Sequence, residues 1–485
     1  MTLKSPYLSA LLALILSAIG FYFGTGLHPL WWLAWLAAIP VLLVAPRIPG
    51  VLAFVLGFIA WAAGFMNQWR FFRSELGIPV STICLYIGGS ALVFGLAVLA
   101  YRTFVRIGAV WRGALVFPSL WVLAEFINSR TSIHSTSSNL AYSQMNFLPI
   151  LQIASVTGIW GISFCIFLFA ATAAILLGGF GSLRDRRWLG IGTGVVLLAV
   201  LGFGVWRMSS ESSAPAVKVA LVSSDLQQNL IAQKHDDAIR LMNDYLSRAR
   251  SAAAQGAKMI VIPEKIAVVT PADIEDVDHL MQAAANQMGA QIVVGVIHVT
   301  PDAKLNEARI YSPNNEILTY EKHHMLPPFE SNLRPGTRLT EWQEPSGTWG
   351  AAICKDMDFP KTGRDYGSDG VGLLIVPAWD FVQDGWLHGR MAILRGVESG
   401  FSIARSPKQG ILTVSDDRGR VIAQRVSDAS PFVTLIATVP VRNDATYYAR
   451  HGDWFAWSNA GLFVMLMLSR FLGKPTYYTA RAKAA

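Results

Sequence analysis

Three residues of this chain are of the types that together could break an acyl bond: Glu264, Lys322 and Cys354. A cysteine attacks as its thiolate, yet a free thiol near pKa 8.5 is mostly protonated at neutral pH, so a working cysteine needs a base and a positive neighbour. A carboxylate at Glu264 would take the proton. An ammonium at Lys322 would stabilise the thiolate and then the oxyanion that forms when a carbonyl is attacked. The product would be a thioester. Each residue alone also has a plain structural reading, since a thiol ending a strand is usually a small packing group and a lone Glu or Lys is usually surface charge. Of the three cysteines, Cys84 and Cys165 fall within apolar runs, which leaves Cys354 as the one that a water-soluble segment presents. So few cysteines make no disulfide framework.

Each candidate sits just beyond a strand-like run: Glu264 after KMIVIP, Lys322 after EILTYE, and Cys354 after WGAAI. The strand ends of α/β sheets are where sites are built. Residues 216–442 alternate such runs, among them VKVALV at 217–222, QIVVGVI at 291–297 and LLIVP at 373–377, with helical patterns at 229–255 and 388–400. That alternation predicts an α/β domain, long enough to bury a core of its own.

The rest of the chain is of another kind. Of 485 residues, 53% are hydrophobic and only 15% charged, against about 25% charged in an average globular protein, so an ordinary soluble protein is excluded. Windows of about 19 residues pick out eight apolar segments, near 8–24, 30–46, 51–66, 80–100, 113–128, 152–177, 189–206 and 454–471. The first follows Lys4 as a signal peptide would, but more membrane comes after it, so it reads as an uncleaved span. The +8 net charge, which in a soluble protein would invite a nucleic-acid reading, here gives topology. With the N-terminus inside, twelve Lys and Arg residues flanking the spans, including Arg47, Arg186 and Arg470, are cytoplasmic, against Arg70, Arg73 and Arg130 outside. The expected organisation is seven spans in 1–206, a polar linker RMSSESSAP at 207–215, the α/β domain at 216–442 on the outer face, and a return segment, eighth span and cytoplasmic tail in 443–485.

The wording around the three candidates adds to this reading. VIPE at 261–264, YEKHHMLPPFE at 320–330 and AAICKDMDFP at 351–360 resemble, in this order, the Glu, Lys and Cys motifs of the nitrilase (carbon–nitrogen hydrolase) superfamily. The KHH…P…E wording, with Glu330 eight residues after Lys322, further resembles the membrane-bound branch, the apolipoprotein N-acyltransferase family. GFYFGTGLHPLWWLAWLAAIPVLL at 20–43, LAYSQMNFLPILQIASVTGIWGISF at 140–164, HGRMAILRGVESGFSIARS at 388–406 and YARHGDW at 448–454 are similar to further parts of that family. The chain departs from it at Lys355-Asp356, where Tyr-Glu is usual, at Ser406-Pro407-Lys408-Gln409-Gly410 in place of Thr-Asn before a glycine, and at 128–139, which lacks Gly-Phe-Pro-Trp.

The resemblance implies an α-helical transmembrane bundle of about eight spans joined to a nitrilase-like αββα sandwich. It implies transfer of an acyl chain from a phospholipid to the α-amino group of a diacylglyceryl-cysteine at the start of a lipoprotein, at the bacterial inner membrane with the catalytic domain periplasmic. Glu264, Lys322 and Cys354 would carry the chemistry, Glu330 would orient Lys322 or the amine, and the backbone N–H of Lys355 would join the oxyanion site beside Asp356. Because both substrates carry acyl chains, costly to pull into water at about 0.8 kcal/mol per CH₂, aromatic loops should meet the lipid. PAWDFVQDGW offers Trp379, Phe381 and Trp386, and MLPPF offers Leu326 and Phe329. An ordinary core or interfacial aromatic cluster is the competing account.

No cofactor is expected: His323-His324 lack a third ligand at zinc spacing, and no phosphate-binding glycine loop is present. No nucleic-acid partner is expected, and a monomer is the simplest assembly. Two rivals remain open at this level. One keeps the triad but uses water, giving a membrane-anchored nitrilase-type amidase; the other is a catalytically silent scaffold or transporter, for which the spans offer few ionisable residues besides Glu125.

Overall fold

The computed structural model describes residues 6–209, 214–442 and 445–472. The chain forms two compact units, one of residues up to Trp206 together with those from Asp453 onward, the other Arg207–Gly452.

Among the described residues of the first unit, six helices are long and apolar enough to cross a membrane. They are α1 (Pro6–Gly24), α2 (Gly50–Phe65), α3 (Val80–Arg106), α4 (Val110–Thr131), α5 (Trp160–Gly178) and α6 (Leu183–Ser209). A count of eight spans is therefore not established. The segment expected at 30–46 is broken into two six-residue helices, Trp31–Leu36 and Ile39–Val44, with Pro40 in the first turn of the second. Proline has no N–H to continue a preceding helix but suits a helix start, which accounts for the break. The segment expected at 152–177 likewise begins with the short helix Ala154–Thr157, and only from Trp160 runs on as α5. The eighth segment forms the helix Trp454–Leu472, not one of the six, which buries Leu466 against Phe104 and Val116.

The second unit is an αββα sandwich. One sheet has the order β13-β1-β2-β4-β5-β6, with β3 also paired to β4, and the other has the order β12-β11-β10-β9-β8-β7. In the first sheet β1 (Ala216–Ser223), β2 (Met259–Val261) and β4 (Gln291–Val299) run parallel, and β5 (Lys304–Tyr311), β6 (Leu318–Glu321) and β13 (Val433–Pro440) flank them antiparallel; β3 is Val268–Val269. In the second, β8 (Gly347–Ala351), β9 (Val371–Trp379) and β10 (Ser402–Lys408) are parallel, flanked antiparallel by β7 (Thr340–Glu344), β11 (Ile411–Ser415) and β12 (Val421–Val426).

The alternation of side chains along a strand sorts the core into layers. Val219 and Leu221 of β1 join the cluster between the sheets with Leu374 and Ile403, while Ala220 and Val222 face a second cluster with Leu241, Met242 and Tyr245 of the helix α7 (His235–Ala254). The helix α8 (Ile274–Met288) lies in the same layer, contributing Val277 and Met281. The second sheet carries α9 (Pro360–Ser368) and α10 (Gly385–Ser399), from which Tyr366 and Ala392 enter the inter-sheet cluster. The central strands are covered on both faces and so read as near-continuous apolar runs, as LLIVP does in β9.

One close approach sets the position of the loop after β2. A Cβ on Gly295 of β4 would collide with the Glu264 Cα and the Pro263 carbonyl, so only glycine lets the strand pass there. Gly295→Ala is expected to destabilise the α/β unit by about 1–3 kcal/mol, as overpacking of a filled interior does, measured as a lowered unfolding temperature of the purified chain.

Candidate active site

The three candidates lie three residues past β2 (Glu264), directly after β6 (Lys322) and three residues past β8 (Cys354), and the two sheets bring them together. Lys322 is 2% exposed, and its Nζ donates to Glu264 Oε1 at 2.8 Å and to Glu330 Oε2 and Oε1 at 2.8 and 3.0 Å. Its backbone is fixed as well, by N–H donation to the Asn306 carbonyl at 2.8 Å and acceptance from Gly336 N–H at 2.8 Å. Burial works against the Lys322 charge, but the Glu264 and Glu330 carboxylates outweigh it and raise the ammonium well above its ordinary pKa. Burial likewise opposes the Glu264 charge, and the Lys322 and Lys265 ammonium groups hold that carboxyl well below the usual range.

The signs follow. Charge stabilisation from Glu264 is present above the ordinary glutamate pKa and lost as pH falls through its depressed value; that from Lys322 is present below the ordinary lysine pKa and lost as pH rises through its elevated one. Across the neutral range both groups are charged.

Glu264 uses one oxygen on Lys322. The other, Oε2, is buried and has no hydrogen-bond partner among the described residues. Cys354 is close enough for the Glu264 and Lys322 charges both to act on its thiol. Burial raises that thiol first and the Glu264 charge raises it further, against the opposing pull of Lys322, so the resting sulfur is a protonated thiol. Its Sγ donates to the Trp379 carbonyl at 3.5 Å. Cys354 has φ +42°, in the left-handed region that costs a non-glycine residue of order 1–3 kcal/mol; Lys265 and Gln409, at φ +50° each, share that conformation beside the site.

Asp356 holds the cysteine loop to the lysine loop. Its Oδ1 accepts from the backbone N–H groups of His323 and His324 at 3.2 and 2.9 Å and lies 2.9 Å from His324 Nδ1, while Oδ2 accepts from Tyr320 Oη at 2.8 Å and Ile353 N–H at 3.2 Å. The two histidines are thus engaged: His324 also stacks on Phe359 at 3.5 Å, and His323 Nε2 meets the Arg338 carbonyl. Among the described residues no group of three or more His, Cys, Asp or Glu side chains could hold a metal ion. Lys355 is buried and turned to Asp358 at 3.0 Å, leaving its backbone as the part that follows the sulfur.

Of the aromatic residues, Phe329 and Phe381 meet at 5.3 Å, joining the loop after Lys322 to the loop after β9, and Phe329 is 51% exposed. Leu326 is half-buried, and its N–H donates to Glu330 Oε2 at 2.9 Å. Trp386 is half-buried under the Arg390 guanidinium at 5.6 Å. Trp379 is held inward: the Lys408 Nζ lies 3.5 Å and the Lys265 Nζ 5.4 Å from its ring centroid, and its indole N–H donates to Gln409 Oε1.

Sequence reasoning missed three residues here. Asn306 of β5 donates from Nδ2 to Glu264 Oε1 at 2.7 Å and to Glu330 Oε1 at 2.9 Å. Lys265 donates to Glu330 Oε1 at 2.5 Å. Lys408, fully buried, donates to the carbonyls of Leu230 and Lys265, and burial together with the Lys265 charge lowers its pKa well below that of an ordinary lysine. The available signal was an amide inside a strand pattern and a lysine at the end of a buried strand.

Residues 8–172 match the family model described as the apolipoprotein N-acyltransferase N-terminal domain, and residues 214–404 match that of the carbon-nitrogen hydrolase. The chain is 27% identical to an apolipoprotein N-acyltransferase of Geobacter metallireducens, over 94% of this chain and 93% of that protein. It is 25% identical to one of Shewanella oneidensis over 77% of each. Among solved structures, a mutant amidase from Nesterenkonia sp. AN1, with the acetamide moiety of fluoroacetamide added covalently at its active-site cysteine, is 18% identical with a TM-score of 0.42, covering 50% of this chain and 96% of that one. A Saccharomyces cerevisiae member of branch 10 of the nitrilase superfamily is 20% identical with a TM-score of 0.41, covering 47% and 93%.

Glu264→Gln removes the negative charge that raises the Cys354 thiol. Iodoacetamide should therefore alkylate Cys354 faster in this variant than in the parent chain at neutral pH, as read by peptide mapping. Slower alkylation would mean that Glu264 already activates the resting thiol.

Proposed function

The chain belongs to the apolipoprotein N-acyltransferase family and is an enzyme of the carbon–nitrogen hydrolase superfamily, and from that premise we propose that it moves a phospholipid acyl chain, by way of a Cys354 thioester, to the α-amino group of a lipoprotein's N-terminal diacylglyceryl-cysteine. The observation that carries this reading over hydrolysis is the match of the membrane half itself, residues 8–172, to a domain described by that transfer activity. The site chemistry alone suits water and an amine equally.

In the first half-reaction the Cys354 sulfur attacks the phospholipid ester carbonyl. Because the thiol rests protonated, its proton moves to Glu264 as the C–S bond forms, and the vacant Glu264 Oε2 is the oxygen suited to receive it. The Lys322 ammonium and the backbone N–H of Lys355 hold the oxyanion. The C–O bond to the glycerol breaks, the alkoxide takes the proton back from Glu264, and lysophospholipid leaves. In the second half the lipoprotein amine attacks the thioester, gives its proton to Glu264 and forms the amide; the departing sulfur regains a proton. Glu330, with both oxygens on Lys322, orients that ammonium.

Phe329, Phe381 and Leu326 belong to the loops that we assign to the lipid-contacting lid, with Trp386 at the start of α10 beside them; Trp379, at the end of β9 and held by Lys408, backs the lid from inside. The excess of basic residues on one set of loops supports an inner-membrane protein with cytoplasmic termini and a periplasmic catalytic domain. The tail that follows residue 472 lies outside the described residues. Every proposed catalytic group comes from one chain, which suits a monomer.

Intact mass spectrometry after incubation with phospholipid tests the reaction. The expected result is an acyl-sized mass gain, absent in Cys354→Ala, released by hydroxylamine and discharged by a diacylglyceryl-cysteine peptide. Lys322→Met should slow adduct formation by about a hundredfold, the scale of losing one oxyanion donor. Turnover of small amides with no lipid adduct would replace acyl transfer by hydrolysis.

A further inference from the structure

Glu264 follows a strand of the first sheet and Cys354 a strand of the second, so the spacing of base and nucleophile is only as definite as the contacts that join the sheets at that level. Asp356 ties the Cys354 loop to the Lys322 loop. The Glu264 turn has ties of its own. Glu264 N–H donates to the Ala378 carbonyl of β9 at 3.3 Å, and the carbonyl of the next residue, Lys265, accepts from Lys408 Nζ at 3.2 Å. Lys408 ends β10 in register with Trp379, which ends β9, and the Trp379 carbonyl is the group that accepts from the resting Cys354 thiol. One amine thus joins the peptide that follows the base to the strand pair against which the nucleophile rests.

A lysine is a costly side chain to bury, and a methionine would fill the same space with no polar group to satisfy. Lys408 is fully buried, and its Nζ donates to two carbonyls, of Leu230 in the loop after β1 and of Lys265. What the amine supplies that an apolar chain cannot is this pair of directed bonds. A neutral amine has both N–H groups, in keeping with the lowering of its pKa by burial and by the Lys265 charge. What the bonds hold also needs holding: Lys265 and Gln409 both have φ +50°, a conformation that persists in non-glycine residues only where the surroundings impose it. Gln409 is fixed by its N–H to Asp225 Oδ1 at 2.8 Å and by its Oε1 to the Trp379 indole at 2.8 Å. Lys265 is fixed through the carbonyl that Lys408 takes.

We propose that Lys408 is a positioning residue of the acylation step: its amine, through the Lys265 carbonyl, holds Glu264 where the carboxylate can take the Cys354 proton. Lys408 acts through Glu264 and not on the substrate. The inference rests on the reading of Glu264 as the base.

The test is a double-mutant cycle on the full-length chain, reading iodoacetamide alkylation of Cys354 at neutral pH by peptide mapping, a measurement that needs no lipid. Lys408→Met should speed alkylation, because a Glu264 carboxylate no longer held close raises the thiol less; in a Glu264→Gln background the same change should have no further effect. A clasp that only keeps the fold closed would speed alkylation by the same factor in both backgrounds, through exposure of the sulfur. That outcome overturns the proposal, as does alkylation that Lys408→Met leaves unchanged. Acyl-adduct formation from phospholipid should meanwhile slow by about a hundredfold in Lys408→Met, the scale on which a displacement of about 1 Å is felt, and an adduct that forms at the parent rate overturns the proposal as well. Where the methionine variant does not fold, Lys408→Gln, which keeps an N–H donor but is one atom shorter, carries the same cycle with a smaller effect of the same sign. An absent adduct in the parent chain would defeat the acyl-transfer reading, while the alkylation cycle would still decide for or against Lys408.

Discussion

The α/β unit is organised around one buried ammonium. Lys322 has almost no access to water, and a lone cation in that position would cost several kcal/mol. Two carboxylates, Glu264 and Glu330, remove the cost but would by themselves leave an excess negative charge, which Lys265 offsets, meeting the Glu330 Oε1 that Lys322 also uses and lying 3.6 Å from Glu264 Oε1. The result is a neutral quartet of two acids and two bases, with the Asn306 amide bridging the acids. Its members come from the loop after β2, from the end of β6 and from the loop that follows it, and the bridging amide comes from β5, so the arrangement forms only when the first sheet is in register. Fold and chemistry share one constraint here, because the arrangement that makes Lys322 tolerable inside the protein also aims it at the nucleophile.

Asp356 extends that constraint to the second sheet. It stands two residues from the sulfur and accepts from the backbone immediately after Lys322, so the position of Cys354 relative to the ammonium is set by a carboxylate that belongs to neither. The left-handed backbone at Cys354 is what this tether, together with β8 behind it, holds in place. Lys355 and Asp356 differ in what holds them: Lys355 is met locally by Asp358, whereas Asp356 has five hydrogen-bonded contacts with other parts of the site.

Much of this was legible in the sequence because strands buried on both faces leave long apolar runs, and a polar residue ending such a run stands out. KMIVIP, EILTYE and WGAAI marked β2, β6 and β8, and Glu264, Lys322 and Cys354 followed from them. Asn306 was hidden because β5 reads KLNEARIY, an alternation in which an inward amide looks like one more solvated position. Lys265 was hidden by its neighbour, since a lysine beside a glutamate reads as exposed charge. Trp379, expected from its loop to face lipid, is clasped by Lys408, and only the pairing of β9 with β10 reveals that the two share a register position. In the helical unit, hydropathy located the apolar segments but was blind to the effect of Pro40, which divides one of them into short helices.

The elevated thiol at Cys354 also bears on how the enzyme survives where it works. Peroxide and other oxidants react with thiolates far faster than with thiols, and oxidation past the sulfenic stage is not readily reversed. A nucleophile kept permanently ionised would be eroded wherever no cellular reductant reaches it. Here burial and the Glu264 charge keep the sulfur neutral until a carbonyl arrives, so reactivity is confined to the moment of substrate attack. The same low dielectric that raises the resting thiol would also slow its reaction with oxidants.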